Sequence, residues 1–278
     1  MADHDPGKNR GRDAQPPLEQ IREALEALRL PLVRERLDEL LADPWDNLSR
    51  VEWLWELLEA QVSRRLEARI ERRLCDSRLP VRKTLSSFDF GFQKGLDRDH
   101  IMELASLRFL DRGFNILLAG MSGTGKSHIA MALGLQACAA NRRVRYTTSA
   151  EMLMALNASL ASEALEETLK QYTRPELLIV DEVGLEQVER PGASRAGLMQ
   201  KVLLPRYNHE RSTIVTSNIP WESWGDYLGD HLGAAALLDR LIHRSHVIVI
   251  DGPSYRDHAH QRDVTAGRQR GADASAVA

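Results

Sequence analysis

Cysteine is scarce in this chain: Cys75 and Cys138 are the only two among 278 residues. They stand in no metal-ligand or redox spacing, so neither a disulfide scaffold nor a zinc site has support. Both read as small apolar side chains in a reducing compartment. No stretch approaches the roughly 18 unbroken apolar residues of a membrane span. The opening MADHDPGKNRGRDAQPP lacks the apolar core of an export signal. The expected location is cytoplasmic, with no membrane partner. A strong charge of one sign is missing too, the formal net charge being -3, although that sum hides local segregation. What remains, an apolar fraction of 43%, suits a globular protein with one ordinary core and a small extra module.

Both ends, 1–17 and 257–278, are polar and aperiodic and read as tails. From Leu18 the spacing is helical: Ile21, Leu25, Leu28, Leu32, Leu37, Leu40 and Leu41, stopped by the breaker DPWDN. A second run, from Leu48 through Leu54, Trp55, Leu58, Val62, Leu66 and Ile70 to Leu74, keeps mostly three- and four-residue steps. Residues 18–83 therefore form a small all-helical module. Its later part, 61–83, holds eight basic residues against three acidic, a local excess of +5. Such a stripe suits DNA phosphates, and it equally suits a solvated helix face.

Past residue 84 short apolar runs alternate with helical stretches. The runs are NILLAG (115–120), RRVRYTT (142–148), ELLIVDEVG (176–184), STIVTSN (212–218) and HVIVID (246–251). Intervening lengths fit crossover helices, which predicts an α/β fold with a mostly parallel five-stranded sheet covered on both faces. Thr148 with Glu151 predicts a capping box opening the helix after the second strand.

GMSGTGKS, Gly120 to Ser127, fits G-x-x-x-x-G-K-[ST] between a strand and a helix. Gly120, Gly123 and Gly125 permit a tight loop whose N–H groups converge on phosphate at a helix N-terminus. With Met121, Ser122, Thr124 and His128 they make the expected nucleotide-contacting set. Lys126 supplies charge to the β and γ phosphates, and the Ser127 hydroxyl is a Mg2+ ligand. LLIVDEVG then delivers two acids at a strand end, where open α/β sheets bind ligands. Asp181 is the expected second holder of Mg2+, and Glu182 is placed to deprotonate an attacking water, which points to ATP hydrolysis. Asn218, ending STIVTSN beside the loop strand, reads either as a γ-phosphate neighbour or as an ordinary turn asparagine.

These segments, with LRLPLVRERLDELLA, KTLSSFDF, WESWG, LLDRLIHRSHVI and SYR, resemble the IstB family, helper ATPases of bacterial insertion sequences within the AAA+ group. The resemblance spans about Leu28 to Arg256 and includes likeness to the replicative helicase loader. It implies an AAA+ ATPase domain over 84–256, Asn218 as a sensor beside the γ-phosphate, Arg240 as a finger reaching a neighbouring subunit's nucleotide, and Arg256 as a second sensor. It also implies that Thr84 to Phe90 flanks the adenine. Family members assemble with ATP on double-stranded DNA, help select the insertion target and serve a transposase of the same element. Met121 and Ser122 replace the family's usual prolines, and HRSH replaces a histidine pair. The alternatives are a helicase loader acting in replication, an ATP-driven switch indifferent to DNA, and a P-loop kinase that would leave Glu182, Asn218 and Arg240 without work.

Overall fold

The computed structural model describes residues 18–42, 49–162, 164–185 and 194–258. By its contacts the chain divides into two units, 1–69 and 70–278. The expected tails, apart from Asp257 and His258, lie outside the described residues, as does the DPWDN breaker.

In the first unit the apolar spacing from Ile21 to Leu41 suggests one helix, and the structure has two, α1 (Leu18–Ala27) and α2 (Pro31–Ala42). Proline cannot donate an intrahelical hydrogen bond but suits a first helical position. The chain therefore turns at Arg29, whose φ is 54°, and restarts at Pro31. A long helix, α3 (Arg50–Ser77), carries the second run, and the division between the units falls inside it. Arg65 of α3 closes the end of α1 by donating to the carbonyls of Leu28 and Arg29 at 3.4 and 3.2 Å. Val33, Leu37, Leu40 and Leu57 form the core here. Much of the regular stripe on α3 stays uncovered: Val51, Leu54, Trp55, Val62 and Leu66 are 48–77% exposed.

In the second unit all five runs are strands: β1 (Asn115–Gly120), β2 (Val144–Thr148), β3 (Leu177–Val183), β4 (Ser212–Ser217) and β5 (Ser245–Ile250). They pair in the order β2-β3-β4-β1-β5, every pair parallel. Odd and even strand positions feed two separate cores, as a sheet buried on both sides requires. Ile116, Leu118, Ile179 and Ile214 pack under α4 (Arg98–Leu104), α5 (Arg108–Asp111) and α6 (Lys126–Ala139). Leu117, Leu178, Val180 and Val215 pack under the opposite layer. That layer comprises α7 (Ser149–Leu160), α8 (Leu165–Thr173), α9 (Arg195–Asn208), α10 (Trp224–Leu228) and α11 (His231–His243). The capping box expected at Thr148 and Glu151 is present, with hydrogen bonds of 3.1 and 3.2 Å. Cys138 is buried as expected, whereas Cys75 lies exposed on α3.

Two features position the site. The first is an extra residue in β3: Val180 pairs with Val215 but Val183 with Ser217. The bulge falls on Asp181 and Glu182 and puts Glu182 at φ 62°, a conformation costly for a residue with a Cβ. The second is Arg206 on α9, 1% exposed. Its guanidinium donates to the Thr213 hydroxyl at 3.0 Å and to the carbonyls of Tyr172, Pro175, Glu176 and Ser212. A buried cation is tolerable when its donors are met, and these acceptors sit at the starts of β3 and β4.

Candidate nucleotide-hydrolysis site

The loop after β1 folds tightly because its glycines admit neighbours that side chains would exclude. A Cβ on Gly123 would fall 2.2 Å from the Ser254 hydroxyl, and one on Gly125 would fall 2.5 Å from the Phe88 ring. Both positions also have positive φ, 82° and 103°, where glycine is at ease. The Gly123 carbonyl accepts from the Tyr255 N–H at 3.0 Å, which draws the segment after β5 across the loop. Phe88 belongs to the Thr84–Phe90 segment. That segment is fastened to α6 through His128, whose Nε2 lies 2.8 Å from the Thr84 carbonyl and 3.3 Å from the Ser87 hydroxyl.

A cavity of about 470 Å3 opens at this end of the sheet. Ser122, Gly123, Thr124, Gly125, Lys126, Ser127 and His128 line it from the loop, joined by Glu182, Asn218 and Arg256. Phe88 and Gln93 form part of its wall. Among the remaining expected residues, Gly120 and Met121 shape the loop from outside this lining. Met121 is 75% exposed. Asp181 lies beneath, 1% exposed.

Asp181 is the hub of a hydroxyl cluster. Ser127 Oγ donates to its Oδ1 at 2.8 Å, Tyr146 OH donates to Oδ2 at 2.7 Å, and Thr216 Oγ1 also donates to Oδ1. Thr216 Oγ1 in turn accepts the Glu182 N–H at 2.9 Å, so the bulge turns on the same cluster. The Asn218 N–H donates to the Val183 carbonyl at 3.0 Å and fixes the tip of β4 against the end of β3. Burial, reinforced by hydrogen bonding to Asp181, holds the Tyr146 phenol well above its ordinary value. It stays a neutral donor.

Ser127 Oγ and an Asp181 oxygen form a small set of hard oxygen donors. Among the described residues no group of three or more His, Cys, Asp or Glu side chains could hold a metal. One carboxylate and one hydroxyl fit Mg2+, which completes its shell with water and phosphate oxygens.

Residues 23–263 match the family described as IstB-like ATP binding protein. The chain belongs to this family. An insertion sequence IS5376 ATP-binding protein of Geobacillus stearothermophilus is 35% identical, over 86% of this chain and 94% of that one. The insertion sequence IS21 ATP-binding protein of Pseudomonas aeruginosa is 40% identical, over 76% and 78%. A solved structure of the DnaC helicase loader aligns over 55% of this chain and 89% of its own, at 18% identity and a TM-score of 0.46. The IstB-like chain is thus an ATPase.

One expected residue of this IstB-like protein stands apart. Arg240 is on α11, donates to the Ala236 carbonyl at 2.7 Å, and lines a separate hollow with Gln200, Leu204 and Tyr207. Tyr146 and Thr216 were not legible as site residues. The sequence shows them as ordinary strand residues, and only strand register reveals that both face Asp181.

Lys126 Nζ donates to the carbonyls of Gly120 and Met121, each at 2.7 Å. Burial lowers its pKa to about 8; Asp181 and Glu182 pull it upward, while Arg256 pushes it further down. Phosphates favour the charged ammonium, so nucleotide binding raises this pKa. At pH 8 the IstB-like protein is therefore expected to take up a fraction of a proton on binding ATP, and affinity should fall as pH rises beyond 8. Calorimetric titrations in two buffers of different ionisation enthalpy measure this uptake. Identical heats in both would refute it.

Proposed function

We propose that this is an ATP-dependent transposition helper. It oligomerises on duplex DNA, assists target selection and serves the transposase of the same insertion sequence in the cytoplasm. The observation that carries the reading is the location of Arg240: the cleft gathers a phosphate loop, two acids, Asn218 and Arg256, while Arg240 lines another hollow. An arginine so placed serves a neighbour's nucleotide better than its own, which makes assembly a condition of turnover. The uncovered apolar stripe on α3 supports contact with further chains. The relatives named as insertion-sequence proteins supply the setting.

On this reading Lys126 draws the γ-phosphate toward the loop, and Asn218 and Arg256 orient its oxygens. Mg2+, held by Ser127 and Asp181, would neutralise charge on the β and γ phosphates. Glu182 accepts a proton from the water that attacks the γ-phosphorus. The new P–O bond forms as the bond to ADP breaks, and the products are ADP and phosphate. Tyr146 and Thr216 hold the Asp181 carboxylate aimed by donating to its two oxygens.

The test is ATP hydrolysis without DNA, with duplex and with single strands, at two salt concentrations, alongside sizing. Expected are stimulation by duplex DNA and large assemblies that need both ATP and DNA and shrink as salt rises. Stimulation by single strands alone would replace this reading with a helicase loader. Assemblies indifferent to DNA would replace it with a switch.

A further inference from the structure

The end of the sheet opposite the nucleotide cleft carries an excess of positive charge. It surrounds an open groove of about 440 Å3 where the end of α3, the start of β2 and the end of α8 converge. Arg73, Arg78, Arg145 and Arg174 line it, and none of the four has an ion pair among the described residues. Lys170 and Arg143 stand in the same wall, already engaged by Glu166 at 2.8 Å and Glu176 at 3.6 Å. Asp76 is the one carboxylate in the lining.

Within the groove the guanidinium of Arg145 lies over the Tyr172 ring, 5.7 Å from its centroid, with its hydrogen-bond donors only partly met. Its Nη2 reaches Gln171 Oε1 at a long 3.4 Å, and its buried Nε has no acceptor. Burial depresses its pKa, and the nearby charge of Arg78 adds to that. Like charges crowded with unmet donors destabilise the fold unless an anion relieves them. Guanidinium groups are matched by phosphate oxygens, which accept in pairs. Four such groups, contributed by three separate segments around an open groove, suit a row of phosphates better than a single enclosed one.

We propose that this groove is where the sugar-phosphate backbone of duplex DNA seats on the ATPase unit. The inference rests on the duplex-DNA reading above and adds the surface that makes the contact. The groove lies at the starts of β2 and β3 and the cleft at the ends of β1, β3 and β4, so the groove can be altered without touching nucleotide.

The experiment uses the full chain with ATP and Mg2+, reading binding of a fluorescent duplex by anisotropy over a range of salt. Arg78→Glu with Arg174→Glu should weaken duplex binding at least tenfold at low salt. It should also flatten the slope of log affinity against log salt by about 2, since two phosphate contacts are lost. A control, Arg112→Glu with Lys201→Glu, makes the same change in net charge elsewhere and should stay within about threefold of the parent. Nucleotide affinity should match the parent in both, which certifies their folding. If the double reversal does not fold, Arg78→Gln with Arg174→Gln should give a smaller loss with a similarly flattened slope. A parent that binds duplex with steep salt dependence, beside a groove variant of equal affinity and slope, overturns the groove alone. A parent without salt-dependent duplex binding overturns the transposition reading and the groove together. A groove variant that loses an RNA hairpin while keeping duplex DNA also overturns the proposal.

Discussion

Arg240→Ala is expected to leave ATP binding within about twofold of the parent and to lower hydrolysis by about 10^3-fold or more, the range found when an arginine finger is withdrawn from a phosphoryl-transfer site. Binding should survive because Arg240 does not line its own chain's cleft. Stability should survive because the side chain's one hydrogen bond goes to the carbonyl of Ala236, a turn earlier in α11. On the proposed reading the loss occurs at the neighbour, so mixing provides the stringent check. An Arg240→Ala chain keeps a sound cleft and lacks the finger; a Glu182→Gln chain keeps the finger and lacks the base. Combined in equal amounts, they should regain activity at up to about a quarter of their head-to-tail contacts. Turnover near the parent level in the single variant, or no recovery on mixing, would remove Arg240 from this role.

Glu182→Gln should reduce turnover by about 10^2- to 10^4-fold, the contribution of a positioned general base, with nucleotide affinity preserved. The substitution is nearly isosteric, so it keeps the backbone demand at φ 62° and the N–H donated to Thr216. Only the ability to accept a proton is withdrawn. Because ATP then binds without being consumed, assemblies on duplex DNA should persist where those of the parent decay with time. Single-turnover hydrolysis and sizing over an hour measure both halves. Turnover within tenfold of the parent would transfer the base to another group.

Much of this was legible in the chain. NILLAG and STIVTSN became β1 and β4, adjacent and parallel, because a buried sheet demands short β-branched runs and leaves few alternatives. The loop and the DE pair carry their own spacing. What escaped the sequence depends on register. The bulge that re-aims Glu182 is a mismatch of one residue between β3 and β4, visible only once both strands are paired. Tyr146 and Thr216 reach Asp181 from strands on either side of β3, and neither has a local signature. The helical period along α3 announced a helix correctly but could not say that Val51, Leu54 and Trp55 would stand uncovered. Period reports which residues share a face and is silent about what meets that face. The break at Arg29 does have a local signal, since Pro31 stands two residues on in the sequence.

Arg206 ties together two stretches of chain that flank it. Its acceptors come from the stretch 172–176 and from residues 212 and 213, so the guanidinium is satisfied only when both stretches have reached it. Desolvating the guanidinium before those carbonyls are in place costs several kcal/mol with little return. The clamp therefore closes only with the starts of β3 and β4 already side by side. Its stabilisation is then felt mainly in how slowly the native protein opens, and little in how fast it forms.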